Sequence, residues 1–193
     1  MDELILLKKE YEDLARERLG VEQKIVFGEG NIGAKIMLIG EAPGRFEEEM
    51  GRPFVGQAGK NLDEFLKILD LKREDIYITN VVKFRPFKVN EKTNKKSNRP
   101  PSKKEIEVSK VILFKEIDYI KPGIIVTLGN VPLKAIVSDK ASIGEYHGKI
   151  IKVNGYTIFP LYHPASIIYN RSLYDVYIDD LKELRKVLKN GGY

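Results

Sequence analysis

The chain contains no cysteine, and only two of its 193 residues, His147 and His163, are histidines. The absence of cysteine excludes disulfide bonds, thiolate catalysis and iron–sulfur clusters held by cysteine ligands. Two histidines do not favour a histidine-rich metal site, and because no apolar run approaches ~18 residues, no membrane span is expected. Residues 1–4 (MDEL) lack the basic segment that opens a secretory signal, so we expect a cytoplasmic protein.

Positive charge is concentrated in one segment of the chain. The formal net charge is +5, but residues 83–104 hold nine Lys or Arg and a single acid, Glu91. The local charge of this segment is therefore +8, and the remaining residues have a balance of −3. Such a basic patch is typical of proteins that bind a phosphate-rich partner. A charge run on its own is also compatible with a solvated, flexible loop.

Strand-like apolar runs alternate with helix-like periodicities, which predicts an α/β fold with three αβα layers in a single domain, residues 1–193. We expect a mainly parallel central sheet of about four strands. Asn154-Gly155 indicates a hairpin between the runs 149–153 and 156–159, of which the second is expected to join the main sheet. Ser102 and Glu105 form a capping-box pair, and Asn130 is expected to cap a short helix. The longer predicted helices cover residues 3–19, 62–69, 102–119 and about 172–189. Besides the two runs of the hairpin, the predicted strands cover residues 35–39, 76–79 and 123–128. Most of residues 83–101 is predicted to be loop.

Polar loops follow three of the predicted strands: GEAPG at 40–44, Asn80, and YHP at 162–164. In parallel sheets, sites form just beyond the carboxyl ends of the strands, so these loops are expected to meet. Gly28, Gly30 and Gly33 match G-x-G-x-x-G, but a dinucleotide-binding motif follows a strand and opens a helix. Here the motif precedes the strand at 35, and we interpret it as a turn.

A denser pattern fills residues 40–59: G-E-A-P-G, then Glu47, then G-x-P-F-V-G-x-A-G. It is followed by T-N-V-V-K at 79–83, N-R-x-P at 98–101 and H-P-A at 163–165. In order and spacing, over nearly the whole chain, these motifs resemble the family-four uracil-DNA glycosylases. The resemblance implies a monofunctional DNA repair enzyme that flips uracil out of DNA and hydrolyses its N-glycosidic bond, leaving an abasic site. The implied partner is uracil-containing DNA, and a monomer is expected.

The chain departs from this family at the four cysteines that normally bind a four-iron, four-sulfur cluster. Phe84 stands where one cysteine would be, the N-terminal pair is replaced within the first helix, and the fourth position falls near Ser109. We therefore expect no cluster and no other cofactor. Apolar packing by residues such as Phe84 and Leu14 is the simplest substitute.

The resemblance implies roles for a small set of side chains. Cleavage of the glycosidic bond leaves positive charge on the sugar and negative charge on the uracil. Carboxylates near the sugar and hydrogen-bond donors near the base would therefore stabilise the transition state. His163 is expected to donate to uracil O2 as a neutral imidazole, and Asn80 to pair with N3–H and O4. Phe54 would stack on the flipped ring. Water positioning is assigned jointly to Glu41 and Glu47, while Gly40 and Ala42, which stands where the first glycosylase family has an Asp, are expected to contact the substrate.

Contacts to the DNA itself are expected from a second set of residues. Gly56 would allow the DNA backbone to approach closely. Lys83, Arg85 and Arg99 would bind phosphates. Ile167, four residues beyond His163, is placed to act as an apolar wedge in the space that the flipped base leaves in the stack. Two other functions remain open: a non-catalytic DNA-binding paralogue of the same fold, and a nucleotide-binding α/β module with GEAPG around a phosphate. The expected DNA contacts are Gly56, Lys83, Arg85, Arg99 and Ile167.

Overall fold

A six-stranded sheet forms the centre of the fold in the computed structural model, which describes residues 3–170 and 172–192. Eight strands are numbered in chain order among the described residues, and two of them, β4 (Phe87–Val89) and β5 (Lys96–Asn98), form a separate hairpin. The strands of the central sheet are β1 (Glu29–Gly30), β2 (Ile36–Gly40), β3 (Ile76–Asn80), β6 (Ile124–Leu128), β7 (Ile151–Val153) and β8 (Tyr156–Leu161). The sheet order is β1-β3-β2-β6-β8-β7. The four central strands are parallel, as expected from the sequence, whereas β1 and β7 pair antiparallel at the two edges.

Helices cover both faces of the sheet, which confirms the predicted three-layer αβα architecture. One face packs against α1 (Glu3–Leu19), α4 (Lys103–Ile120) and α5 (Asn130–Ile136), and the other against α3 (Gln57–Leu69) and α8 (Leu173–Gly191). The alternation along β2 shows why: Met37 and Ile39 join the first apolar cluster, while Ile36 and Leu38 join the second. Short helices complete the chain: α2 (Arg45–Met50), α6 (Ile143–Tyr146), α7 (Pro164–Tyr169) and a 3₁₀ turn at Arg73–Asp75.

The sequence signals at element ends were correct in most places. Ser102 and Glu105 form the expected capping box, with Oγ of Ser102 accepting from the Glu105 N–H at 3.2 Å. Asn154 and Gly155 both have positive φ, at 51° and 82°, as a tight hairpin turn requires. The G-x-G-x-x-G segment contains β1 and a turn and opens no helix.

Two predictions about elements were wrong, and one was incomplete. Most of residues 83–101 is loop and turn as expected, but the segment also contains the antiparallel β4–β5 hairpin, which was not predicted. Both strands of the 151–161 hairpin belong to the main sheet, since β7 extends it beyond β8. Asn130 is the first residue of α5 rather than its cap, and its Oδ1 accepts from the Ile143 N–H at 2.9 Å. Among residues 3–170 and 172–192, no helix is long and apolar enough to cross a membrane.

Candidate active site

The loops after the parallel strands meet at one edge of the sheet. Gly40 at the end of β2 lies opposite Asn80 at the end of β3, and β8 leads directly to His163, the N-cap of α7. Together they border a cavity of about 420 Å³, within the usual size range of ligand pockets. Its lining includes Ala42, Gly44, Glu47, Phe54, Gly56, Asn80 and His163, so most of the predicted base-binding residues are brought together.

Asn80 contributes a side-chain amide to the wall of this cavity. Its side chain is 3% exposed, and its carboxamide makes no hydrogen bond to any residue that the structure describes. Gly40 makes room for it, because a Cβ at that position would collide with Asn80 Oδ1 and with the Phe54 ring. Because the amide faces the cavity, its donor and its acceptor can both pair with the edge of a bound ligand.

Phe54 forms an apolar wall beside Asn80. The side chain is buried, and its ring centroid lies 6.1 Å from that of His163, with 28° between the ring planes. The backbone of Phe54 has φ +53°, which a non-glycine residue rarely adopts. The conformation is held by Arg73, whose Nη2 donates to the Phe54 carbonyl at 2.6 Å.

His163 presents a defined donor to the cavity. Burial lowers the pKa of His163 to about 4, although the nearby Glu47 carboxylate acts in the opposite direction, so the imidazole is neutral at pH 7. Its Nδ1 accepts from the Ala165 N–H at 3.1 Å. A neutral ring that accepts at Nδ1 carries its proton on Nε2. His163 therefore has the protonation state that the sequence analysis assigned to it.

The two candidate carboxylates differ in their surroundings. Both oxygens of Glu47 are engaged: Oε2 accepts from the Gly44 N–H at 3.1 Å, and Oε1 accepts from the N–H groups of Val55 and Gly56 at 3.1 and 2.7 Å. Glu47 thereby ties α2 to the loop that carries Phe54. The Glu41 carboxylate has no partner among the described residues, and its pKa is raised by burial. It lines a smaller adjoining cavity that also reaches His163.

The three basic residues predicted to bind phosphate are all paired with acids. Lys83 is fully buried, and its ammonium donates to Glu116, to Thr79 Oγ1 and to the Asn80 carbonyl. That burial overturns the prediction that Lys83 contacts DNA. The two arginines are also paired: Arg85 Nη1 donates to Glu48 at 3.1 Å, and Arg99 donates to both oxygens of Glu105 through Nη1 and Nη2, each at 2.7 Å.

The remaining predicted DNA contacts have mixed surroundings. The Gly56 N–H is used by Glu47, and a Cβ at Gly56 would lie 3.0 Å from that carboxylate, so a larger residue here would press against Glu47. Ile167 is half-buried and packs against the apolar cluster under α3 and α8, and its role as a wedge stays a prediction.

Sequence reasoning missed several side chains at the cavity, among them Asn98, Arg45 and Phe46. Asn98 lines both cavities at the foot of the β4–β5 hairpin, and Arg45 and Phe46 line the larger one from α2. Asn98 stands within the N-R-x-P motif, which could have marked it. Nothing in the sequence predicted α2, whose six residues are too few to show a helical period.

The positions that would hold an iron–sulfur cluster are filled by other interactions. The Tyr11 hydroxyl lies 2.7 Å from Ser109 Oγ and accepts from the Lys83 N–H at 3.1 Å, and Phe84 is buried in the core. None of these groups is a thiolate, so the residues present do not fit the cluster. Within 3–170 and 172–192, no group of three or more His, Cys, Asp or Glu residues could hold a metal ion.

Comparison with known proteins places this site in a family context. Residues 27–189 match the sequence profile of the uracil DNA glycosylase superfamily. The chain is 40% identical over 200 residues to a type-4 uracil-DNA glycosylase of Sulfurisphaera tokodaii, across 97% of this chain and 86% of that protein. It is 40% identical to the type-4 uracil-DNA glycosylase of Saccharolobus solfataricus (98% and 88% covered) and 37% identical over 172 residues to that of Thermotoga maritima (87% and 85% covered).

Proposed function

The chain belongs to the uracil-DNA glycosylase superfamily, and on that premise we propose that it removes uracil from DNA by hydrolysing the N-glycosidic bond. The product is an abasic site in an uncut strand. The observation that carries the proposal is the buried, unpartnered Asn80 carboxamide, which shares one cavity with the Phe54 ring and the neutral His163.

Base recognition follows from the donors and acceptors of these groups. The Asn80 oxygen accepts from uracil N3–H while its NH₂ donates to O4. Cytosine reverses both groups, so a fixed carboxamide rejects it. Phe54 stacks on the extruded ring, and base–aromatic stacking typically contributes ~1–3 kcal/mol.

Cleavage is assisted from both sides of the bond. The Nε2–H of His163 donates to O2, where negative charge develops on the departing uracil. We assign the orientation of the attacking water to Glu41, because its carboxylate is free and its raised pKa moves it toward the range of an effective general base. Glu47 has a positioning role, since both of its oxygens hold backbone N–H groups of the cavity wall.

The test uses single-stranded and duplex oligonucleotides with one uracil, followed by alkaline cleavage at abasic sites. We expect release of free uracil, strand cleavage only after alkali, and no reaction with matched thymine or cytosine oligonucleotides. Binding without uracil release would favour the non-catalytic paralogue, and strand cleavage without alkali would contradict the monofunctional mechanism.

Three further features belong to the proposal. The chain acts as a monomer, as one domain over residues 1–193, in the cytoplasm. It works without a resident cofactor, so we expect the purified protein to be colourless and its activity to persist in a chelator. Iron that tracks with activity would overturn this last point.

A further inference from the structure

The rim of the cavity carries an aromatic side chain that the proposed chemistry does not use. Phe46, the second residue of α2, is 49% exposed, yet it lines the same cavity as Asn80 and His163. Full burial of such a side chain would stabilise the fold, because it would remove apolar surface from water. At this position, the ring instead leaves apolar surface open beside the proposed base pocket.

A cation accompanies the Phe46 ring. The guanidinium carbon of Arg45 lies 4.6 Å from the ring centroid. The Arg45 side chain is 59% exposed, and its ion pair with Glu49 is long, at 3.6 Å, and equally exposed. Exposed pairs of this kind contribute little, so Arg45 remains available to a phosphate.

The cavity also extends beyond the space that one pyrimidine needs. Uracil has eight heavy atoms, and even at the ~30 Å³ that a water molecule occupies it would take no more than ~240 Å³. The cavity measures about 420 Å³, and the exposed residues of its lining, which define its outer part, include Arg45, Phe46 and Gln57. A strand whose uracil enters the inner part must continue past this outer part.

An exposed aromatic ring next to an arginine is the combination with which proteins bind single-stranded nucleic acid, through stacking and cation–π contacts. We propose that Phe46 and Arg45 form a stacking site for the nucleobase adjacent to the uracil in the same strand. The inference rests on the proposed function and adds a second base-binding site to it. Because every base has a π-face, this site tolerates any neighbouring sequence.

The test compares single-stranded oligonucleotides in single-turnover excision at increasing enzyme concentration. One contains uracil between two thymidines, and two others carry a stable abasic analogue in place of the 5′ or the 3′ neighbour. Phe46→Ala should raise the half-saturating enzyme concentration on the intact oligonucleotide by about 5- to 100-fold. It should have no effect on the one oligonucleotide that lacks the stacked neighbour, and Phe46→Tyr should restore wild-type behaviour.

Met50→Ala is the matched control, because Met50 lies one turn further along α2, is 57% exposed and does not line the cavity. The proposal is overturned if Phe46→Ala equals wild type on the intact oligonucleotide, as it would if the ring contacted a protein partner. It is also overturned if Phe46→Ala weakens all three oligonucleotides equally. Failure of the proposed function looks different: the wild-type protein would release no uracil, and stacking would then be measured by the binding of the same oligonucleotides.

Discussion

In the proposed mechanism, base selection depends on the side-chain amide of Asn80, which a near-isosteric substitution can change. Asn80→Asp keeps the side-chain shape but replaces the donor to uracil O4 with an acceptor. A mismatched buried polar group costs ~1–3 kcal/mol, and ~1.4 kcal/mol corresponds to one decade in rate. We expect uracil excision to fall at least ~10-fold, with a weak gain of cytosine removal that rises toward low pH, where the aspartate is protonated.

Asn190→Asp, at an exposed position on α8, is the control for the added charge. Both variants are assayed with uracil and cytosine oligonucleotides across a pH series. If Asn80→Asp cuts uracil at the wild-type rate, Asn80 does not read the base.

The neutral state of His163 links protein stability to pH. The pKa of His163 is about 4 in the folded protein and near 6.5 in an unfolded chain, so the unfolded state binds a proton first. The contribution of His163 to stability is therefore complete above pH 6.5 and is lost as the pH falls toward 4. In His163→Gln this loss should be absent. Between pH 7 and pH 4, the free energy of unfolding should therefore decrease more in wild type than in His163→Gln, by up to ~3 kcal/mol.

Urea unfolding of both proteins at several pH values measures the difference. An identical decline in wild type and His163→Gln would mean that the histidine is not held neutral. Other groups titrate in this range, but they are common to the two proteins.

Individual residues were predictable from the sequence where a motif defined them, as for Asn80 and His163, both of which line the cavity. Lys83 shows where prediction from the sequence fails. Its charge suggested a phosphate contact, but the Lys83 ammonium is buried against Glu116, which lies on α4, 33 positions away in the sequence. A local charge count does not distinguish a lysine that is paired in the core from one that is free on the surface.

Among the elements, we expect the β4–β5 hairpin to provide the phosphate contacts first assigned to Lys83, Arg85 and Arg99. Those arginines fix its base: Arg85 Nε donates to Asn98 Oδ1 at 2.7 Å, and Arg99 Nε donates to the Phe87 carbonyl at 3.2 Å. Four lysines of the hairpin are exposed and have no acidic partner among the described residues: Lys88, Lys92, Lys95 and Lys96.

We expect the triple substitution of Lys92, Lys95 and Lys96 by Gln to weaken DNA binding equally for all sequences. For every lysine that binds a phosphate in the wild type, its replacement should reduce the slope of log K against log salt concentration by about 0.7–0.9. The same change at Lys182, Lys186 and Lys189 on α8 removes equal charge elsewhere and is the control. An unchanged slope in the hairpin variant would mean that this segment is a solvated surface without a DNA role.

The hairpin was not predictable because its strands have three residues each and are almost entirely exposed, so no alternation of apolar and polar residues marks them. The two-residue strand β1 is shorter still. By contrast, β2 and β6 are short apolar runs buried on both faces, and the sequence predicted them within one residue at each end.

At the scale of the whole molecule, the sequence predicted the four parallel strands but not the interaction that attaches α1. Apolar packing was expected there, and Phe84 and Leu14 do pack in the same cluster. The Tyr11 hydroxyl was not anticipated, because its partners Ser109 and Lys83 lie 98 and 72 positions away. Burial raises the pKa of Tyr11 to about 12, so the hydroxyl is protonated at pH 7.

This buried contact joins α1, α4 and the segment after β3, and removing it should destabilise the whole fold. Tyr11→Phe keeps the ring but leaves Ser109 Oγ and the Lys83 N–H without their partner, which costs about 1–3 kcal/mol. For a chain of this length each kcal/mol lowers Tm by roughly 2–4 °C. Thermal and urea unfolding measure the effect against Tyr174→Phe, at a tyrosine that is 53% exposed. Equal stability of the two variants would mean that apolar packing alone holds α1 in place.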